Sequence, residues 1–126
     1  MARYTPQGRR ITHRPQGYPV PLELLGAIDV QAAKVGSMRD DRDRLDARVS
    51  RLEHDAYLAR AKADTTADPG LRKVLYERGD ILSGQASSAR TARDSAQRCL
   101  QQEEASLAGL HAQARAWQRG DHEDED

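Results

Sequence analysis

Histidine and cysteine are the residue types in this sequence best suited to hold a metal ion or to act as catalytic bases and nucleophiles. The chain has four histidines and one cysteine, namely His13, His54, His111, His122 and Cys99. The histidines are far apart in sequence and match no usual set of zinc ligands. No HExxH, CxxC, GxSxG or phosphate-loop pattern occurs. We therefore predict that the chain is not an enzyme and takes no metal, cofactor or small-molecule substrate.

Cys99 has no second cysteine with which to form a disulfide inside the chain. It falls among small residues at or beside the apolar side of a predicted helix, which favours a small and buried apolar side chain. The alternative is a disulfide to another chain or a redox switch.

Charged residues are balanced overall but segregated at the two ends. Residues 1–21 contain four arginines, four prolines and no acid, whereas residues 121–126 contain five acids. The prolines exclude a helix, so the first block is predicted to be an extended basic arm. Its positive charge and aromatic rings suit an acidic protein neighbour or the phosphates of a nucleic acid. The predicted contact residues are Arg3, Tyr4, Arg9, Arg10, Arg14 and Tyr18.

Between these ends, apolar residues recur at alternating spacings of three and four, which is the pattern of a coiled coil. This predicts a first helix over residues 22–66, a turn over 67–70 and a second helix over 69–119. Asp68 and Pro69 suit the start of the second helix. The predicted seam residues are Leu24, Ile28, Val35, Met38, Leu45, Val49 and Leu52 in the first helix and Leu71, Leu75, Leu82, Leu110 and Trp117 in the second.

The seam of the second helix is less regular than that of the first. Its smaller and polar members are predicted to be Arg78, Gln85, Ala89, Ala92 and Ala96. The next member is Cys99 or Leu100, and the step from Ala96 to Leu100 indicates a stutter, a local slip in the seven-residue repeat. Gly79 and Gly84 each cost about 1 kcal/mol relative to alanine in a helix, which leaves open a kink or a short break.

A short link folds the second helix back antiparallel to the first. The predicted fold is therefore all-α: a long antiparallel two-helix coiled-coil hairpin over residues 22–119, with the extended arm over 1–21 and a disordered acidic tail over 120–126. Apolar residues make up 37% of the chain and phenylalanine is absent, so a single seam gives a thin core. A thin core favours a protein partner or a homo-oligomer.

Apolar residues off the seam predict a second binding face. Its members are Val74, Ile81, Leu100 and Leu107, with Leu22, Leu25, Tyr57 and Leu58 adding apolar surface. The alternative is that these are scattered surface residues, which are normal in monomeric proteins.

The predicted tip of the hairpin carries two acids, Asp64 and Asp68. An antiparallel coiled coil with an acidic tip resembles the bacterial factors that insert into the secondary channel of RNA polymerase. The resemblance covers these tip residues and not the globular docking domain of those factors. A helix cap accounts for Asp68 by itself.

These features predict a non-enzymatic structural or interaction protein, a coiled-coil subunit or accessory factor of a larger assembly such as a phage particle or a mobile-element complex. The alternative is a nucleic-acid-binding accessory protein that uses the basic arm, because the arginines in the middle of the chain form no one-sided stripe.

Arginine outnumbers lysine 17 to 3, which favours a GC-rich bacterial or phage genome. No apolar run approaches the ~18 residues of a membrane span, and no signal peptide is recognisable. The predicted location is cytoplasmic or virion-associated, without membrane contact.

Overall fold

A computed structural model describes residues 19–120, and these residues form two helices that pack against each other, with no strand among them. Helix α1 is Leu22–Asp64 and helix α2 is Pro69–Arg119. The predicted all-α fold and helical hairpin are thereby confirmed. The predicted disordered tail lies outside the described residues except for Gly120, and so does the predicted basic arm except for its last three residues.

Helix α1 begins at Leu22, directly after Pro21. It ends at Asp64, two residues before the predicted end at residue 66. Two amide N–H groups of the first turn donate to the carbonyl of Pro21, at 3.1 Å each. At the other end, the N–H groups of Thr65 and Thr66 donate to carbonyls three residues earlier, at 3.2 and 3.1 Å. These tighter turns replace the α-helical pattern, and for this reason the helix stops at Asp64.

The link between the helices is closed by local hydrogen bonds. The Leu71 N–H donates to the carboxylate of Asp68 at 3.3 Å, and the Arg72 N–H donates to the Asp68 carbonyl at 2.9 Å. The Arg72 guanidinium also donates twice to the carbonyl of Thr66, at 3.0 and 2.9 Å. Asp68 therefore caps α2, as its residue type predicts.

Helix α2 is continuous through Gly79 and Gly84. At Gly79 an added Cβ would lie 2.9 Å from Cγ of Arg60, whereas at Gly84 it would meet nothing within 4 Å. Gly79 is thus used for a close approach between the helices, and neither glycine breaks α2. The helix ends at Arg119 and is followed by Gly120, whose φ of 80° is the left-handed conformation that glycine adopts just after a helix.

The inward side of α1 follows the predicted spacing without interruption. Three of the predicted seam residues are buried, namely Val35, Val49 and Leu52. Four are half-buried, namely Leu24, Ile28, Met38 and Leu45. The alanines that continue the spacing, Ala56, Ala59 and Ala63, are buried as well. This side of the helix therefore packs through small side chains near its end.

The inward side of α2 differs from the predicted seam. A series of buried or half-buried residues runs along this side, namely Leu75, Gly79, Leu82, Ala86, Ala89, Arg93, Ala96, Leu100, Glu103, Leu107, Leu110, Ala114 and Trp117, and further half-buried residues such as Ser83, Arg90 and Gln97 lie beside it. The residues of the series alternate at spacings of four and three without a slip, so the predicted stutter is wrong. Arg78, Gln85 and Ala92 are exposed, because the inward positions are one residue further along. Gly79 and Arg93 occupy two of those three inward positions. Because neither is an apolar side chain, the repeat was hard to recognise in the sequence.

Four further residues of α2 are corrected by their burial. Leu71 was predicted in the seam but is 47% exposed, because it precedes the inward series that begins at Leu75. Leu100 was predicted to bind a partner but is fully buried, and Leu107 is half-buried. The 19 residues from Ile81 to Leu100 correspond to a rotation of about 100° around a helix, so the two do not share a face. Cys99 is exposed, not buried as predicted.

The described residues divide into two compact units, one formed by residues 36–101 and the other by residues 19–35 with 102–120. In the first unit the helices are antiparallel, since Arg42 contacts Gln97 whereas Arg60 contacts Asp80. Its core is a cluster of small and medium apolar side chains, namely Val49, Leu52, Ala56, Leu82, Ala86 and Ala89.

In the second unit a polar contact replaces apolar packing at one inward position. The side-chain amide of Gln31 donates to the Glu103 carbonyl at 2.9 Å and to its carboxylate at 2.8 Å. The Lys34 ammonium lies 3.3 Å from the same carboxylate. The hydrogen bond from Gln31, and then the interaction with Lys34, lower the pKa of Glu103 below its usual range. A polar pair at such a position fixes the alignment of two helices.

Candidate protein interface

The hairpin formed by residues 36–101 has two sides. They differ in their exposed residues and in whether side-chain contacts join the two helices. Residues three or four apart lie on the same side of a helix, so each helix presents one stripe to each side. The stripes of one side are Glu53, Tyr57, Arg60 and Asp64 of α1 with Tyr76, Asp80, Ser83 and Arg90 of α2. The stripes of the other side are Arg48, Arg51, Asp55, Leu58 and Lys62 of α1 with Leu71, Val74, Arg78, Ile81, Gln85, Ser88 and Ala92 of α2. We name the first the ion-paired face and the second the apolar–basic face.

Charged groups on the ion-paired face join the two helices. Arg90 pairs with Glu53, and Arg60 pairs with Asp80 at 3.2 Å. The guanidinium of Arg60 also donates to the Gly79 carbonyl at 3.4 Å. A groove of about 450 Å³ on this face is lined by residues of these pairs. Exposed pairs contribute at most about 1 kcal/mol each, but they neutralise the charge of this face.

Two more cross-helix contacts lie at the inner edge of the ion-paired face. Arg42 donates to Gln97 at 2.8 Å, and Arg93 lies 3.4 Å from Asp46. The pKa of Arg93 is raised, first by its hydrogen bond to Asp94 and then, against the opposing effect of burial, by Asp46. Both arginines occupy inward positions and direct their guanidinium groups to carboxylate or amide oxygens, as long side chains at such positions commonly do.

The phenol of Tyr76 extends the ion-paired face to the tip of the hairpin. Its hydroxyl donates to the carboxylate of Asp64. This hydrogen bond, followed by burial and the charge of Asp64, raises the pKa of Tyr76 above its usual value. Asp64 and Asp68 therefore both have structural partners: one binds across the helices and the other caps α2. The acidic tip is explained without a binding role.

The apolar–basic face carries large apolar side chains in contact with solvent. Leu58 is 49% exposed, Val74 is 58% exposed and Ile81 is 62% exposed. Leu71 lies on the same stripe of α2 and is also exposed. These four exposed apolar side chains share one side of the hairpin, Leu58 on α1 and the other three on one stripe of α2, and exposed apolar surface gathered on one side is typical of binding sites.

Four cations surround these apolar side chains. Arg48, Arg51, Lys62 and Arg78 are exposed, and none has an ion-pair partner within residues 19–120. Asp55 is the one acid on the two stripes. No hydrogen bond or ion pair joins the helices across this face in the part of the chain that the structure describes. The apolar–basic face therefore keeps a local positive charge that the other face has lost to pairing.

Small side chains form the floor of a groove on the apolar–basic face. The groove has a volume of about 500 Å³ and is lined by Leu45, Arg48, Ile81, Gly84, Gln85, Ser88, Ala89 and Ala92. Glycine, serine and alanine let a neighbouring backbone come close, since the distance between packed helices depends on the side chains at the contact. The lining of the groove thus leaves room for the backbone of a neighbouring element.

Only part of the predicted binding residues is brought together here. Val74 and Ile81 lie on the apolar–basic face, whereas Leu100 and Leu107 face inward. All six predicted contact residues of the arm lie outside the described residues. Leu22 and Leu25 are exposed in the other unit.

The sequence interpretation missed the basic stripe of α1. Arg44, Arg48 and Arg51 are spaced by four and three, which places them on one side of a helix. The spacing was visible in the sequence, but Asp46 and the acids just before Arg44 concealed it. Arg44 is paired with Asp41, so the unpaired charge belongs to the other two arginines.

Groups suited to metal binding or catalysis are dispersed in the described residues. His54 and His111 are exposed on separate helices, and His13 and His122 lie outside the described part. Residues 19–120 contain no group of three or more histidine, cysteine or acidic side chains that could hold a metal ion. Neither described helix has a segment long and apolar enough to cross a membrane.

Comparisons with known proteins add no family to this description. No family model matches the chain, and neither a curated protein nor a solved structure matches it.

Proposed function

We propose that this chain is a non-catalytic interaction protein, a subunit or accessory factor of a larger assembly, that binds another protein through the apolar–basic face. The observation that carries the proposal is the exposure of Leu58, Leu71, Val74 and Ile81 together on the one side of the hairpin that no cross-helix pair covers. Burying these side chains against a partner is favourable by roughly 25 cal/mol per Å² of apolar surface. A coiled-coil subunit of a bacterial or phage assembly fits this role and the arginine-rich composition.

Site-specific photocrosslinking in cells that express the chain tests this proposal. A photoreactive phenylalanine analogue replaces Gln85, which lines the groove, or Ser87, which is exposed on the other side of the same helix. We expect a covalent adduct with a defined protein from position 85 and little from position 87. The substitution Ile81→Glu should abolish the adduct but leave thermal unfolding unchanged, because Ile81 is exposed. Equal adducts from both positions, or an adduct that survives Ile81→Glu, would contradict the proposal.

The second candidate is a nucleic-acid-binding accessory protein, which the four arginines and absent acids of residues 1–21 favour. It predicts binding to a DNA duplex that falls steeply between about 50 and about 200 mM salt. Removal of residues 1–18 should abolish that binding, whereas the protein adduct at position 85 would persist. Fluorescence anisotropy with a labelled duplex measures the first effect, and the crosslinking experiment measures the second.

A further inference from the structure

We infer that the partner of the apolar–basic face is an acidic amphipathic helix of another protein. The inference rests on the proposed function, and it adds the chemistry of the partner. Three properties of the face point to it: a groove lined by small residues, exposed apolar side chains on the stripe of α2 that includes the groove residue Ile81, and unpaired cations on both helices.

The apolar side chains select a helix with one apolar stripe. Val74 and Ile81 are seven residues apart on α2, so they repeat at the spacing of two helical turns. A partner helix in the groove would bury them with apolar residues of its own at spacings of three, four and seven. Gly84, Ser88 and Ala92 leave room for its backbone. A nucleic acid would leave these apolar side chains in water, which disfavours phosphate as the main ligand.

The unpaired cations select acidic residues beside that stripe. Arg48 lines the groove. Arg51 follows Arg48 by about one turn on α1, and Arg78 precedes the groove residue Ile81 by about one turn on α2. Carboxylates on both flanks of the partner helix would meet these cations, and complementary charges at a rim steer binding and exclude wrong partners. A basic helix with the same apolar stripe would be repelled.

The same charges disfavour a second copy of this chain as the occupant. A symmetric dimer brings one patch against the same patch of its partner. Here it would bring the exposed arginines and lysine of two chains together, with Asp55 as the one acid that each apolar–basic face supplies. The charge of the face therefore favours a different chain.

Binding of two synthetic helical peptides to the full chain tests the inference. Both are about three heptads long and share one leucine stripe; one has glutamate and the other lysine at the flanking positions. Fluorescence anisotropy should give a dissociation constant at least about tenfold lower for the glutamate peptide at low salt, with the difference shrinking at high salt. The double substitution Arg48→Glu/Arg51→Glu should reverse this preference. Lys73→Glu/Arg98→Glu, which changes the charge equally but off the face, should keep it.

Each other outcome overturns the inference in a distinct way. Equal binding of both peptides that is lost in Ile81→Glu would mean that the face binds helices without selecting charge, and the proposed function would stand. Failure of both peptides while the crosslink at position 85 persists would mean a partner of another shape. A dimer mass in light scattering that Ile81→Glu abolishes would identify a second copy. Duplex binding that needs Arg48 and Arg51 but not Ile81 would identify a nucleic acid.

Discussion

At the scale of single residues, polar side chains at inward positions are placed by specific partners. Arg42 and Arg93 occupy such positions and bond Gln97 and Asp46 at the edge of the interface. Gln31 does the same by bonding Glu103. Each of these three polar side chains thus has a partner, and a buried polar group without one costs about 1–3 kcal/mol. Polar residues at these positions therefore restrict the alignments open to the helices.

The lowered pKa of Glu103 predicts a pH dependence of stability. Because the pKa of the folded state is below that of the unfolded state, the contribution is complete above the ordinary glutamate value of about 4.3 and is lost as pH falls through the lower, folded-state pKa. We expect Glu103→Gln to reduce the loss of stability between about pH 6 and about pH 3. Urea unfolding followed by far-UV circular dichroism measures it. The exposed Glu77→Gln serves as the control, and an equal effect in both variants would contradict the assignment.

At the scale of the elements, three successive inward positions of α2 lie one residue further along the chain than its apolar pattern indicates. The apolar pattern favours Ala92 over Arg93 as the inward residue. For the neighbours Gln85 and Ala86, the pattern gives little reason to choose one as the inward residue over the other. The structure covers Ala86 almost completely, at 1% exposure, and leaves Gln85 exposed. The close approach at Gly79, which a Cβ would obstruct, belongs to the same inward series.

A matched pair of leucine substitutions distinguishes the two assignments. Ala86→Leu should destabilise the chain by about 1–3 kcal/mol, because it inserts volume into a packed interface. Gln85→Leu should change the free energy of unfolding by less than about 0.5 kcal/mol, as exposed positions usually do. Both values come from urea unfolding. A larger loss for Gln85→Leu than for Ala86→Leu would restore the assignment made from the apolar pattern.

At the scale of the whole molecule, a formal net charge of zero hides an uneven surface. Cations of the ion-paired face are neutralised by acids of the facing helix, whereas those of the apolar–basic face are not. Half of the ten buried apolar residues are alanines, so the described core buries little surface per residue. A thin core and an uncovered apolar face are both typical of a chain that gains stability from a partner.

This asymmetry predicts how the isolated chain unfolds. We expect a free energy of unfolding at or below about 5 kcal/mol, the low end for natural domains. The urea midpoint should not change over a hundredfold range of chain concentration, because like charges on the apolar–basic face oppose self-association. Circular dichroism at several concentrations measures both quantities. A midpoint that rises with concentration would mean that copies of the chain cover the face for one another.

The sequence by itself determined the two helices, the cap at Asp68, the glycine at the end of α2 and the inward side of α1. These depend on hydrogen bonds within a few residues and on one regular repeat, both of which are written locally in the chain. The tertiary structure decided the inward side of α2, the burial of Leu100, the exposure of Cys99 and the pairing of charges on only one face. Those depend on which atoms of the other helix lie opposite, and spacing along one helix does not contain that information.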